Sequence, residues 1–292
     1  MNSISKMSFL FQHNKTIAGI TGFILFLSIA FLGDSSLQNR AIAMGILMVV
    51  FWVFEVVPIY VTALIPLVLC TPLGILDPSE LALAYGNNNV YLFLGGFILA
   101  LALEKWDVHH QIASRILALV GSTKSKILLG FGLSSFLLSM WISNTATTLM
   151  MLPMALSIIQ VQKESEASNR FSLLLMLTVA YSASIGGMAT LVGCPPNTQM
   201  AGTLSNTFDI HVSFWEWMKI GLPVSFIVFL VLNLFFQFLL GAQGQDKVLI
   251  NIRQSHWTRP QRRVLMIFAV VIVLWVTRDF IVSYTGVNFK DS

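Results

Sequence analysis

The run from residue 220 to residue 241, IGLPVSFIVFLVLNLFFQFLLG, carries no charged side chain and is long enough to cross a bilayer as a helix. A soluble fold has no place for such a segment, because its helices keep a polar face toward water. Further apolar runs bounded by polar, Gly or Pro breaks occur near 16–32, 40–55, 58–71, 89–104, 171–204 and 263–278. Charged residues make up 10% of the chain, against roughly 25% in an ordinary soluble domain. The reading is an all-α polytopic membrane protein embedded in the lipid bilayer, with helices rather than a barrel crossing it. The first run follows Lys6 and Lys15, yet its length and the later spans favour a retained helix over a cleaved signal peptide.

Between 127 and 159 an apolar segment is interrupted by Ser143, Asn144, Thr145, Thr147 and Thr148, with Pro153 beyond. If this segment dips in and returns to the same side, with a cytoplasmic N-terminus, every loop acquires a side. The inside then holds Lys6, Lys15, Lys105, Arg115, Lys124, Lys126, Lys163, Arg170, Lys247, Arg253, Arg259, Arg262 and Arg263. The outside holds Arg40, Lys219, Arg278 and Lys290. That is thirteen of seventeen basic residues inside, as the positive-inside rule demands. A single crossing by 127–159 would place the basic segments 105–126 and 247–263 on opposite faces. A re-entrant hairpin is therefore predicted, in an inner membrane of bacterial type. The basic stretch 253–263 is then a cytoplasmic loop rather than a nucleic-acid site, and no nucleic-acid partner is expected.

The segment 107–121 places Ile112, Ile116 and Leu119 on one helical face and Arg115 on another, which reads as a helix lying in the cytoplasmic interface. Its His109 and His110 lack a third ligand at metal-binding spacing. Glu55 and Glu104 fall at helix ends, where interfacial anchoring is the default. Cys70 and Cys194 both sit in apolar segments and build neither a disulfide framework nor a thiolate metal site.

A second interruption lies in 171–204, where SIGGMATLVGCPPNTQMAG spans 184–202. Gly186, Gly187, Gly193, Pro195 and Pro196 cannot sustain a regular helix there. Irregular backbone at membrane depth survives only inside protein or beside water. Freed carbonyls can hold a cation and freed amides an anion, so neutral side chains suffice for both tasks. The plainer alternatives are hydroxyls bonded within their own helix at 143–148 and a kinked packing helix at 184–202. Two matched breaks favour an ion and substrate site.

The hairpin with its Ser143-Asn144-Thr145 tip, followed by SIGGMATLVGCPPN, resembles the divalent anion/sodium symporter family (DASS). FEVVPIYVTALIPLVLC at 54–70 and NNVYLFLGGFILALALEKWDVHHQIASRIL at 88–117 extend the similarity over nearly the whole chain. The resemblance implies inverted repeats, each with a hairpin and a broken helix, and an elevator-type movement against a scaffold in a homodimer. It implies sodium as the coupling ion, with Ser139, Ser143, Asn144 and the Gly193 carbonyl as its ligands. It implies a dicarboxylate substrate such as succinate, met by Ser143, Asn144, Thr145, Cys194, Pro195 and Asn197. No cofactor or catalytic residue is implied. Relatives usually carry Thr or Ser where Cys194 stands, so a strong hydroxyl donor is replaced by a weak thiol donor.

By the same resemblance, 1–126 would hold scaffold helices and the interfacial helix, 127–159 the hairpin, and 160–243 the broken helix and the next span. Residues 244–292 would be a cytoplasmic loop and the first helix of a second repeat. The expectation is thus an incomplete transporter carrying the first inverted repeat. Ser205-Asn206-Thr207 sits in a polar stretch without apolar arms and reads as coincidence. Two other readings stand beside symport: a non-transporting fragment, and an intramembrane serine hydrolase using Ser143. The latter lacks a base, because His13, His109, His110, His211 and His256 all fall outside the spans.

Overall fold

The computed structural model describes residues 3–32, 36–86, 88–160, 166–248 and 256–285. Lys163, Arg253 and Lys290, counted in the topology above, lie outside the described residues. Among the described residues the regular structure is helical throughout. The chain divides into two compact units, 1–87 and 88–292.

In the first unit, α1 (Ser3–Leu27) ends in a π turn, Ser28–Leu32, and packs against α2 (Leu37–Val53). Glycine makes the approach close, since a Cβ at Gly22 would lie 2.8 Å from the Val50 side chain. Phe26, Ala30, Ala43, Leu47 and Leu73 form the local core. Lys15 pairs with Glu55 at 3.4 Å.

The single span expected over 58–71 is corrected to two short helices, α3 (Ile59–Thr62) and α4 (Ile65–Leu69). Pro66 lacks an N–H and its ring would clash with the carbonyl four residues back, at Thr62, where α3 ends. The Arg40 guanidinium donates to the Leu73 carbonyl at 2.9 Å and ties the turn after α4 to α2. A further short helix, α5 (Pro78–Tyr85), begins with an Asp77–Glu80 capping box and Pro at its first position.

The second unit contains α6 (Asn88–Lys105), α7 (Val108–Val120), α8 (Lys124–Ser139), α9 (Asn144–Gln160), α10 (Glu166–Gly187), α11 (Pro195–Phe208), α12 (Phe214–Leu240) and α13 (Arg259–Thr285). Residues 127–159 do form two arms, α8 and α9, joined by the turn at 140–143. Both arms pack on α10. The α8–α10 seam is made of small residues: a Cβ at Gly132 would meet Thr178 and Ser182 at 3.1 and 3.2 Å. At Gly186 it would come within 2.2 Å of the Phe136 carbonyl oxygen, so only glycine allows that approach. Phe131, Phe136, Phe171 and Phe229 are fully buried around the seam.

Helix α7 buries Val108, Gln111, Ser114 and Leu117 and leaves Leu119 87% exposed. Of the Ile112–Ile116–Leu119 face, Ile112 packs partly buried against the core, Ile116 is half-buried and only Leu119 stands free of protein. The base of the hairpin is clasped by the segment after α12. The Lys124 and Val248 N–H groups donate to the carbonyls of Asp246 and Ser122 at 3.0 and 2.9 Å, and the Lys124 ammonium pairs with Asp246 at 2.9 Å. The Ser125 hydroxyl donates to Gln237, whose own amide donates to Asn233. Thr258 and Gln261 cap α13 reciprocally, and the Gln261 amide also donates to the Trp106 carbonyl at 2.9 Å.

Candidate functional site

Four helix ends meet where the hairpin turn reaches the break between α10 and α11. The break runs over 188–194, and α11 starts on Pro195-Pro196, which cannot donate the amide bonds a continuous helix would need. The Asn144 side chain joins the two interruptions. Its Oδ1 accepts from the Ser139 hydroxyl at 2.8 Å, and its Nδ2 approaches the Cys194 sulfur at 3.9 Å. Asn144 opens α9 and Cys194 caps α11, so two helix N-termini face the same locus and direct partial positive charge onto it.

The C-terminal ends of α8 and α10 converge a few ångströms away. A Cβ on Gly193 would fall 2.6 Å from the Gly187 carbonyl oxygen and 2.9 Å from that of Ser139. Two helix-terminal carbonyls thus crowd against Gly193, and a Cβ on Gly187 would overlap Asn144 Oδ1 at 2.1 Å. Oxygen donors collect on this side of Asn144: the Ser139 hydroxyl and carbonyl, Asn144 Oδ1 and the Gly187 carbonyl. Such a set suits a hard cation, whereas the paired N-termini suit an anion. Neither 139–148 nor 184–202 contains an ionisable acid or base other than the Cys194 thiol. Among the described residues no cluster of three or more His, Cys, Asp or Glu exists.

Ser139 is fully buried, Ser143, Asn144 and Cys194 are half-buried, and Thr145 and Pro195 are exposed. Of the residues expected to meet substrate, Thr145 and Pro195 lie on the open side and Asn197 is buried, while Ser139, expected to meet only the cation, lies behind the half-buried Ser143 and Asn144. The Ser143 hydroxyl accepts from the Ala146 N–H at 3.3 Å, capping α9. Asn197 is buried and donates both amide hydrogens inward, to the carbonyls of Gly187 and Thr190 at 2.8 Å each. It holds the break in shape, and only its oxygen remains for other partners.

The sequence reading passed over Thr190. This fully buried hydroxyl donates to the Met140 carbonyl in the hairpin turn and accepts from the Gly193 N–H at 3.1 Å. Its only signal was a hydroxyl residue inside an otherwise apolar break. Gly187 was noted as a helix breaker, but its close approach to Asn144 is a tertiary fact. Ser205-Asn206-Thr207 closes α11, with Ser205 bonded to His211, away from the hairpin tip.

Fold and site together define the class, an integral, all-α polytopic membrane protein in which two helix breaks meet. Among the described residues the stretches long and apolar enough to cross a membrane include Asn14–Leu32 in the first unit and Asn169–Gly187, Phe214–Leu240 and Arg259–Arg278 in the second. The chain belongs to the citrate transporter family (CitMHS), which it matches over residues 49–289. It is similar to the sodium-dependent dicarboxylate transporter SdcS of Staphylococcus aureus (strain USA300), 33% identical over 301 aligned positions that cover 96% of this chain and 58% of that protein. The protein of the same name from Staphylococcus saprophyticus is 33% identical over 249 positions, covering 80% of this chain and 48% of its own length. The chain therefore spans about half the length of the curated relatives it matches. The resemblance to divalent anion/sodium symporters read from the motifs is borne out.

Proposed function

We propose that this chain contributes the first half of a sodium-coupled symporter for a divalent anion, with a C4-dicarboxylate such as succinate as substrate. The observation that carries the proposal is the position of Asn144, which links the Ser139 hydroxyl to the α11 N-terminus at Cys194. Sodium would take oxygens from Ser139, Ser143, Asn144 and the Gly193 carbonyl. One substrate carboxylate would meet Ser143, Asn144, Thr145 and the start of α11 at Cys194 and Pro195, with Asn197 keeping that start in place. The names of the relatives support both cargoes.

The physical case for coupling is electrostatic. A dianion entering low dielectric needs its charge compensated, and neither break offers Lys or Arg. Helix N-termini provide only partial charges, so sodium supplies the remainder. Each ligand then raises affinity for the other, by linkage. Hydrolysis by Ser143 is not favoured, because its hydroxyl caps α9 and all five histidines fall outside the apolar spans. Alternation of access would follow an elevator-type displacement of the hairpin with α10 and α12, against the scaffold of a homodimer.

The test is succinate uptake into proteoliposomes carrying the full-length protein, as a function of sodium. Asn144→Ala is expected to raise the half-saturating sodium concentration at least about tenfold. Thr148→Ala, whose hydroxyl only bonds the Asn144 carbonyl at 2.8 Å within α9, should leave it within about twofold. Uptake independent of sodium, or equal sodium dependence in the two variants, would sink the proposal.

A further inference from the structure

A groove of about 410 Å³ between α10 and α12 belongs to no part of the site above. Leu173, Leu177 and Tyr181 line it from α10, Phe235 and Leu239 from α12, and Arg170 stands at one end. Apart from the guanidinium and the Tyr181 hydroxyl, these walls are apolar. Arg170 is exposed, and among the described residues no carboxylate forms an ion pair with it.

Position along the membrane span narrows the occupant. Arg170 is in the first turn of the stretch Asn169–Gly187, which is long and apolar enough to cross a membrane, and the end of a crossing helix stands at headgroup level. From Arg170 to Tyr181 the helix rises about 16 Å at 1.5 Å per residue. That is about half of the roughly 30 Å hydrocarbon core, the depth of a single leaflet. A soluble anion would gain nothing from the apolar walls, and an apolar helix would gain nothing from the guanidinium. A molecule with a negative head and a chain one leaflet long satisfies both ends.

We propose that the α10–α12 groove is a binding site for an anionic phospholipid, with one acyl chain along Leu173, Leu177 and Tyr181 and the phosphate on Arg170. Because α10 ends at Gly187, where the break begins, a lipid seated there braces α10 against α12 on the approach to the ion site. Arg rather than Lys at the mouth permits a two-pronged hydrogen bond to phosphate, but either cation supplies the charge.

The test places a reporter at the mouth of the groove. Leu173 is 59% exposed, so Leu173→Trp leaves the core intact. The full chain with this substitution is reconstituted in phosphatidylcholine vesicles containing the same mole fraction of chain-brominated phosphatidylglycerol or chain-brominated phosphatidylcholine. Quenching of the new tryptophan is read after subtracting the parent protein with its seven native tryptophans. The expected result is about a fivefold apparent preference for the anionic lipid, which corresponds to the roughly 1 kcal/mol that one basic residue gains at an anionic surface. Arg170→Gln, checked for unchanged thermal unfolding, should abolish the preference, and Arg170→Lys should keep most of it. Equal quenching by the two lipids, or a preference that survives Arg170→Gln, overturns the proposal. Absence of quenching by either lipid overturns it too, because the groove is then covered by protein, either more of this chain or a second copy.

Discussion

Gly186 and Gly187 are adjacent, yet adding a methyl group to each should have opposite consequences. Neither has a positive φ, so alanine meets no backbone strain at either position, and only the space for a Cβ matters. At Gly187 that Cβ would lie 2.1 Å from Asn144 Oδ1 and 3.0 Å from Nδ2, atoms at the end of a rotatable side chain. To regain 3.0 Å the oxygen must retreat by about 0.9 Å, which breaks its 2.8 Å bond from the Ser139 hydroxyl. A misplacement near 1 Å in a bound constellation costs up to about a hundredfold. Gly187→Ala is therefore expected to weaken sodium binding by about ten- to a hundredfold while leaving intrinsic stability within about 1 kcal/mol. At Gly186 the Cβ would meet backbone instead, 2.2 Å from the Phe136 carbonyl oxygen and 2.8 Å from its Cα. Backbone cannot rotate away, so α8 and α10 must separate, at a cost of about 1–3 kcal/mol or more.

Thermal unfolding of the purified full chain, with and without sodium, separates the two effects. At a sodium concentration a hundredfold above its Kd, the parent protein gains about 2.7 kcal/mol from the ion. A tenfold weaker variant gains about 1.4 kcal/mol, and a hundredfold weaker one about 0.4 kcal/mol. Gly187→Ala should show the reduced gain from a near-normal baseline, and Gly186→Ala a lowered baseline. Full sodium stabilisation in Gly187→Ala, or an equal loss of baseline in both variants, would refute the assignment of Asn144 Oδ1 to the cation side.

Three further outcomes follow from the same geometry. Asn197→Ala leaves the buried Gly187 and Thr190 carbonyls without their donor, and should cost about 2–4 kcal/mol in denaturation, more than the loss of one surface hydrogen bond. Asp246→Asn should destabilise the hairpin base more than Lys124→Met does, by about 1–2 kcal/mol, because it strands an ammonium only 8% exposed while its partner is 57% exposed; hydrogen exchange of residues 122–126 reports it. Burial pushes the His109 pKa below its ordinary 6.5, against the Leu103 carbonyl and the Asp107 and Glu104 carboxylates and with help from His110. The unfolded chain then binds more protons between the depressed value and 6.5, so stability should fall as pH drops through that window, stay level above about pH 7, and lose this dependence in His109→Gln.

Much of the architecture was legible along the chain because hydropathy and helix breaking are local properties. Uncharged runs announce the spans, and the Ser143-Asn144-Thr145 and Pro195-Pro196 interruptions announce where regular backbone must stop. The same logic failed over 58–71, where apolar composition suggested one span and Pro66 cut it into two short helices. Local pattern also left Thr190 unremarked, since nothing near it in the chain shows that its partner is the Met140 carbonyl. The site itself was decided by tertiary packing. Ser139 and Asn144 meet Gly187 and Gly193 because the small residues of α8 and α10 let two backbones approach to within contact of the Phe136 carbonyl. Hydropathy cannot encode that approach, because glycine's missing side chain acts only through what stands opposite it, some fifty residues away in the chain.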